Sequence, residues 1–223
     1  MAKTFTFQDI PVKSPSFGAM GLSFGMGSKL SLEEAEHVLL QAIELGCTLW
    51  DTSIFNQVVY EAGVDEKLLG DFTRKHNVRD KECIEHTIER LGFTPDLYYL
   101  HRIDPIANID ALQAENSAFE TLHEADGLIE AARELGVAYV AYSPLGHGVI
   151  KTLRGGPKFQ GKNRYKNKAI VDEIKKLANR KGCSLPQIAL ARVDAHRMIP
   201  IHGTTKTKRL EEKWVSRNVI LTE

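Results

Sequence analysis

Leu97-Tyr-Tyr-Leu-His-Arg-Ile-Asp104 is a short aromatic and apolar run with a polar end. Its composition is that of a buried strand, and it delivers His101, followed at once by Arg102 and Asp104. In α/β architectures, reactive side chains stand at the carboxyl ends of parallel strands, where loops open onto a cleft. A structural histidine would account for one such run alone. Two further runs end the same way. Cys47-Thr-Leu-Trp-Asp-Thr-Ser53 is apolar and then presents Asp51, and Ile199-Pro-Ile-His-Gly-Thr-Thr-Lys206 ends in a glycine, hydroxyls and a cation. Three strands with polar ends point to a functional rim.

Working outward, helices alternate with these runs. Phe5-Thr-Phe-Gln8 and Ile10–Lys13 read as an N-terminal hairpin, and Ser16–Leu22 as a glycine-rich strand. Ser31-Leu-Glu-Glu34 has capping-box spacing and opens a helix that stops at Gly46. Further helices are expected at about 65–75, 84–91, 127–135, 169–180, 185–195 and 206–214, and further strands at 109–115, 137–143 and 199–201. The stretch from about Arg154 to Asn167 reads as irregular. Repeated βα units imply a parallel sheet, and polar groups at successive strand ends favour a (β/α)8 TIM barrel over an open Rossmann sheet. The Rossmann glycine turn is also absent: Phe24-Gly-Met-Gly-Ser-Lys29 lacks the third glycine. Two places break the alternation. Between Lys75 and Ile84 no apolar run is long enough for a buried strand, and Asp104–Asn108 is too short for a parallel crossover. The expected architecture is therefore an incomplete barrel with six recognisable strands, formed by residues 1–223 as one domain.

The chain has 223 residues, with 29 Lys and Arg against 29 Asp and Glu. That length can bury a sizeable core. Balanced charge argues against nucleic acid or a membrane surface as partner. No apolar run approaches the roughly 20 residues of a membrane span, and no signal-peptide core is evident at the N-terminus. Three scattered cysteines, Cys47, Cys83 and Cys183, lack metal-ligand spacing. They suit a reducing, cytoplasmic setting, with Cys47 and Cys183 as inert core thiols.

Five motifs in this order resemble the aldo-keto reductases: Trp50-Asp-Thr-Ser53, Asp65-Glu-Lys-Leu-Leu-Gly70, Tyr98-Tyr-Leu-His-Arg-Ile-Asp-Pro105, Ala141-Tyr-Ser-Pro-Leu-Gly-His-Gly148 and Gly203-Thr-Thr-Lys-Thr-Lys-Arg209. The resemblance covers nearly the whole chain. It implies a (β/α)8 barrel that reduces an aldehyde or ketone by hydride transfer from NADPH, leaving NADP+, with a tyrosine donating the proton. The two breaks correspond to the family's third strand and to its fifth strand with flanking helices.

The resemblance also implies roles. Tyr60 is the expected acid. The family's usual position, five after Asp51, holds Asn56, but Tyr60 precedes the matching Gly63-Val-Asp-Glu66 after a four-residue insertion. His101 matches the histidine that orients the substrate carbonyl. Asp51 matches the aspartate that pairs with a lysine to lower the tyrosine pKa. That lysine is not found; Lys75 and Lys81 flank the gap, and neither ends an apolar strand. Asp51 must then take a raised pKa or find another donor. Tyr142 matches the residue that stacks on the nicotinamide, and Gln113 the one that binds its carboxamide. Gly18 and Met20 fall beside the nicotinamide ribose. Ser143, Leu145 and Gly148 fall at the pyrophosphate. In the last motif, Gly203 begins the turn, Thr204, Lys206 and Arg209 suit a 2′-phosphate, and Glu212 reaches the adenine. Lys213 replaces the asparagine usual after that glutamate and weakens the adenine contact.

The implied partner is a small-molecule carbonyl; neither its identity nor the oligomeric state is legible in the sequence. The alternative to an active reductase is a catalytically impaired NADP(H)-binding pseudoenzyme or regulatory subunit of the same fold. A third reading has the lysine and two strands standing between residues adjacent in this numbering.

Overall fold

A computed structural model describes residues 4–7, 10–23, 29–47, 49–52, 64–78, 111–148 and 159–221. Two short strands, β1 (Thr4–Phe7) and β2 (Ile10–Lys13), pair antiparallel as the expected hairpin. Five more strands form one sheet: β3 (Ser16–Gly18), β4 (Trp50–Asp51), β5 (Ala111–Glu115), β6 (Ala138–Tyr142) and β7 (Ile199–His202), in the spatial order β4-β3-β7-β6-β5. Every pairing in it is parallel. The last strand lies between the first of the sheet and β6, so the order is cyclic. That is the closing seam of a (β/α) barrel; in the Rossmann order the final strand stands at an edge. These five strands are an arc of an incomplete barrel. The expected sixth strand, at Leu97–Leu100, lies outside the described residues, as do both breaks in the alternation and the helix expected near 84–91.

Alternation along each strand sorts the two faces. Val140, Ile199, Ile201 and Ala111 pack with Val12 of the hairpin on one face. Tyr139 and Ala141 turn the other way, onto Ile129, Val193 and Met198. The helices of the described residues are α1 (Met20–Ser23), α2 (Leu32–Leu45), α3 (Val64–His76), α4 (Leu122–Ala125), α5 (Leu128–Glu134), α6 (Asn163–Lys181), α7 (Leu185–Ala195) and α8 (Thr207–Trp214), and α5 and α7 supply Ile129 and Val193 to that second face. Helix α2 begins where its capping box predicts. Glu34 N–H donates to Ser31 Oγ at 3.2 Å, and Ser31 N–H donates to the Glu34 carboxylate at 2.8 Å. Such a cap contributes about 1 kcal/mol. Gly46 ends the helix at φ 77°, a left-handed conformation that glycine adopts without penalty. The apolar stripe Ala35, Val38, Leu39 and Ala42 packs on Phe17 and Leu22, on Leu69 and Phe72 of α3, and on Leu210 of α8.

Two element boundaries differ from expectation. The first barrel strand stops at Gly18, and Met20–Ser23 is a helical turn, because Gly18 meets the start of the rim where the chain must leave the sheet. Helix α6 begins at Asn163, inside the stretch read as irregular. Its first turns, Asn163-Arg-Tyr-Lys-Asn-Lys168, carry no apolar stripe to announce a helix. Cys47 is buried, and burial pushes its thiol up to about 12, as suits an inert core residue. Cys183 is partly buried, also with its pKa raised by burial; Cys83 lies outside the described residues. No helix of the described residues is long and apolar enough to cross a membrane.

Candidate active site

The carboxyl ends of the strands share one rim. Gly18 lies in register with Asp51, and Glu115 with Tyr142. Ala19 N–H donates to the Asp51 carbonyl at 2.8 Å, which holds β4 level with β3 at this point. Asp51 and Gln113 sit on the two outermost strands of the arc, yet the Gln113 Nε2 donates to Asp51 Oδ1 at 2.7 Å. Of the two outcomes open to an aspartate without its lysine, the second donor is therefore present. A neutral amide holds the carboxylate in a charge-assisted hydrogen bond, without supplying a cation. Lys75, one flank of the gap, is engaged elsewhere, on Glu36 at 2.7 Å. Lys81, Tyr60 and His101 lie outside the described residues.

A second acid stands behind Asp51. Asp65, on the first turn of α3, is 2% exposed. Neither of its carboxylate oxygens has a hydrogen-bond partner. Burial first of all pushes its pKa up to about 6; the Ser23 hydroxyl nearby opposes the rise without meeting hydrogen-bond geometry, and the Asp51 and Glu66 charges add to it. The adjacent acids Asp65-Glu66 in front of Leu68-Leu-Gly70 gave no sign of burial, since acids in a first helical turn are ordinarily solvated. The sign of the effect on stability follows from the shift. The folded state keeps this proton up to about pH 6, while the unfolded chain loses it near 3.8. Stability from the acid form is thus present below pH 4 and is lost as pH rises through 6. Asp65→Asn removes that loss. It should raise the melting temperature at pH 8, by an amount corresponding to about 3 kcal/mol at most, and change it much less at pH 4.5. An equal effect at both pH values in thermal unfolding would refute the assignment.

The opposite side of the rim is built from bare backbone. A Cβ on Gly203 would lie 3.3 Å from the Gly18 carbonyl oxygen, and one on Gly21 would lie 3.7 Å from the Gly203 Cα. The chain ends of β3 and β7 therefore cross with no side chain between them. Met20 is half exposed beside this crossing, at 45%. After β6 the chain makes a tight turn: Gly146 N–H donates to the Ser143 carbonyl at 2.8 Å, and Gly148 N–H to the Leu145 carbonyl at 3.3 Å. Ser143 has φ 51°. At Gly146 any side chain would strike the Phe119 ring, 2.5 Å from an added Cβ. Tyr142 and Ser143 are partly buried at the head of this turn, and Leu145 packs into the Ala178–Ile188 cluster.

At the end of β7, Thr204 is buried and its hydroxyl accepts from the Lys206 N–H at 3.2 Å. Lys206 occupies the N-cap position of α8, and no side chain caps the helix. The first amides of α8 are therefore open to an anion. Lys206 and Arg209 are exposed there, with no carboxylate partner among the described residues. Glu212 is half buried, and its carbonyl accepts from the Gln187 amide at 2.7 Å. The Lys213 side chain turns inward, 7% exposed, and Nζ donates to the Gly203 carbonyl at 2.7 Å.

The rim thus carries an uncapped helix start with two exposed cations, a crossing built from backbone alone, and an amide and an aromatic on neighbouring strands.

Comparison with known proteins gives the family and the fold. Residues 106–223 match the model of the Aldo/keto reductase family. An aldo-keto reductase of Gibberella moniliformis is 44% identical over an alignment of 301 positions that covers 100% of this chain and 91% of the relative. All 223 residues fit within those 301 positions, so the relative carries residues opposite internal gaps in this chain. An aldo-keto reductase of Schizosaccharomyces pombe, whose name specifies NADP(+), is 27% identical over 95% of this chain and 86% of its own length. Among solved structures, a glycerol dehydrogenase from Gluconobacter oxydans superposes with a TM-score of 0.79 at 17% identity, covering 98% of this chain and 91% of that chain. A thermostable aldo-keto reductase superposes with a TM-score of 0.76 at 20% identity, over 100% of this chain and 96% of that chain. The structures establish the shared fold, and the matched model with the 44% identical relative establishes the lineage: this chain belongs to the aldo/keto reductase family.

Proposed function

We propose that this protein reduces an aldehyde or ketone to an alcohol with NADPH, using Tyr60 as proton donor. Family membership supports the coarser statement, carbonyl reduction by an oxidoreductase. The single observation that best supports the cofactor is the uncapped start of α8, with Lys206 and Arg209 exposed beside it and without a carboxylate partner among the described residues. The helix amides and dipole favour an anion, and two cations suit a 2′-phosphate rather than a hydroxyl.

Bound NADPH supplies the hydride. The residues of the chain do the rest. Gly18 and Met20 would lie beside the nicotinamide ribose, Ser143, Leu145 and Gly148 would hold the pyrophosphate, Gly203 would begin the turn at the phosphate-binding helix start, and Tyr142 would stack on the nicotinamide. Gln113 holds Asp51 through Nε2 at 2.7 Å; its Oε1 is the atom suited to accept from a carboxamide NH2. Glu212 serves the adenine. His101 would orient the substrate carbonyl, and Tyr60 would give its phenolic proton to the carbonyl oxygen. Both lie outside the described residues, and their roles rest on the motifs alone.

Arg209→Ala tests the cofactor assignment. A charge-assisted hydrogen bond contributes roughly 1.5–3 kcal/mol, so the variant should bind NADPH about ten- to a hundredfold more weakly. NADH, which lacks the phosphate, should lose much less. Equal affinity of the parent protein for the two cofactors would remove the assignment.

The competing reading, an NADP(H)-binding protein impaired in catalysis, is favoured by one observation. No lysine matching the family's partner of Asp51 is found in the sequence, and the donor seen on that carboxylate, Gln113 Nε2 at 2.7 Å, is neutral.

A further inference from the structure

Lys213 is a buried ammonium on the second turn of α8. Its 2.7 Å hydrogen bond to the Gly203 carbonyl ties the helix back to the end of β7. His202, the residue before Gly203, is also buried, at 2% exposed, and neither ring nitrogen has a hydrogen-bond partner. Burial, and then the Lys213 charge, hold that imidazole in its neutral form. A buried ammonium is costly unless it is hydrogen-bonded, and the Gly203 carbonyl supplies this lysine with an acceptor.

The location gives the bond its consequence. Gly203 has no side chain to restrict its backbone, and it passes within 3.3 Å, from an added Cβ, of the Gly18 oxygen. In a trans peptide the C=O and the following N–H point in opposite directions. Fixing the Gly203 carbonyl toward α8 therefore fixes the direction of the Thr204 N–H. Thr204 in turn sets the start of α8, because its hydroxyl accepts from the Lys206 N–H at 3.2 Å. Arg209 stands four residues before Lys213, on the same side of the same helix. One hydrogen bond thus sets the spacing between the cation before the helix, the cation on its first turn and the peptide at the strand end.

We propose that Lys213 is a positioning residue for the cofactor's 2′-phosphate, tethering the Gly203–Thr204 peptide so that Thr204, Lys206 and Arg209 present one anion site. The inference rests on the cofactor reading above. It assigns Lys213 no contact with the cofactor.

Fluorescence titration with NADPH and with NADH tests it on four proteins: the parent, Arg209→Ala, Lys213→Met and Lys213→Arg. Methionine keeps the length and loses the donor; arginine keeps a donor. Lys213→Met should weaken NADPH about tenfold or more and NADH no more than about threefold, following the loss of a charge-assisted hydrogen bond. Lys213→Arg should stay within about threefold of the parent for both cofactors. A purely structural lysine would lower the melting temperature and leave the NADPH-to-NADH ratio at the parental value. That result, with Arg209→Ala losing its preference as expected, overturns the inference alone. A parent without NADPH preference overturns both readings. Should Lys213→Met fail to fold, Lys213→Gln decides: its amide is too short to reach the Gly203 carbonyl, so the same selective loss is expected, and a parental ratio overturns the inference.

Discussion

Replacing Tyr60 with phenylalanine is expected to lower carbonyl reduction by about 10²- to 10⁴-fold, the usual contribution of a general acid, with NADPH affinity nearly unchanged. The phenol is assigned to the carbonyl oxygen and to no part of the dinucleotide, so the two readouts separate. Tyr98 and Tyr99 are poor substitutes, because they precede the end of the strand that delivers His101. Undiminished turnover in the variant, measured as NADPH consumption with a panel of aldehydes, would move the role to another group.

Alcohol oxidation should respond to pH in a way that reduction does not. Reduction uses the protonated phenol, which is the dominant form at neutral pH. Oxidation needs the tyrosinate as base. Gln113 is a neutral partner of Asp51, at 2.7 Å, and this hydrogen bond brings no positive charge to stabilise a phenolate; with no cation beside Tyr60, its phenol keeps the ordinary value. An unshifted tyrosine ionises near pH 10. Oxidation should therefore rise about tenfold per pH unit between 7 and 9, and roughly a thousandfold in all by pH 10, while reduction stays level across pH 6 to 8. Rapid oxidation at neutral pH would mean that a cation stands beside Tyr60, whether a lysine in residues opposite the gaps of the alignment or another group.

What the sequence made legible was local. Ser31 and Glu34 are three residues apart, so their reciprocal cap could be read directly, and it fixed the start of α2. The polar ends of β4 and β7 announced the rim because a strand's alternation stops abruptly where hydroxyls and charges begin. The cyclic strand order followed from repeated βα units. Contacts between distant residues were not legible. Gln113 and Asp51 are separated by 62 positions, and nothing near either residue marks the other as its partner. Lys213 read as a change in an adenine contact, because sequence position gives no direction to a long side chain; only the carbonyl at Gly203 turns it inward. An acid in a first helical turn is ordinarily solvated, and the packing of α3 against α1 buries Asp65. The polar opening turns of α6 misled in the reverse sense, since a solvated helix start carries no apolar period.

The central claim is the one proposed above, that this chain reduces an aldehyde or ketone by hydride transfer from NADPH. The most direct measurement follows the hydrogen itself. The protein is given an aldehyde and NADPH carrying deuterium at both positions of nicotinamide C4, and the alcohol is analysed by mass spectrometry and proton NMR. The account predicts one deuterium on the carbinol carbon of every product molecule, formed over repeated turnovers. Tight NADPH binding with no deuterated alcohol, across a panel of aldehydes and ketones, would contradict it and leave a cofactor-binding protein that does not catalyse.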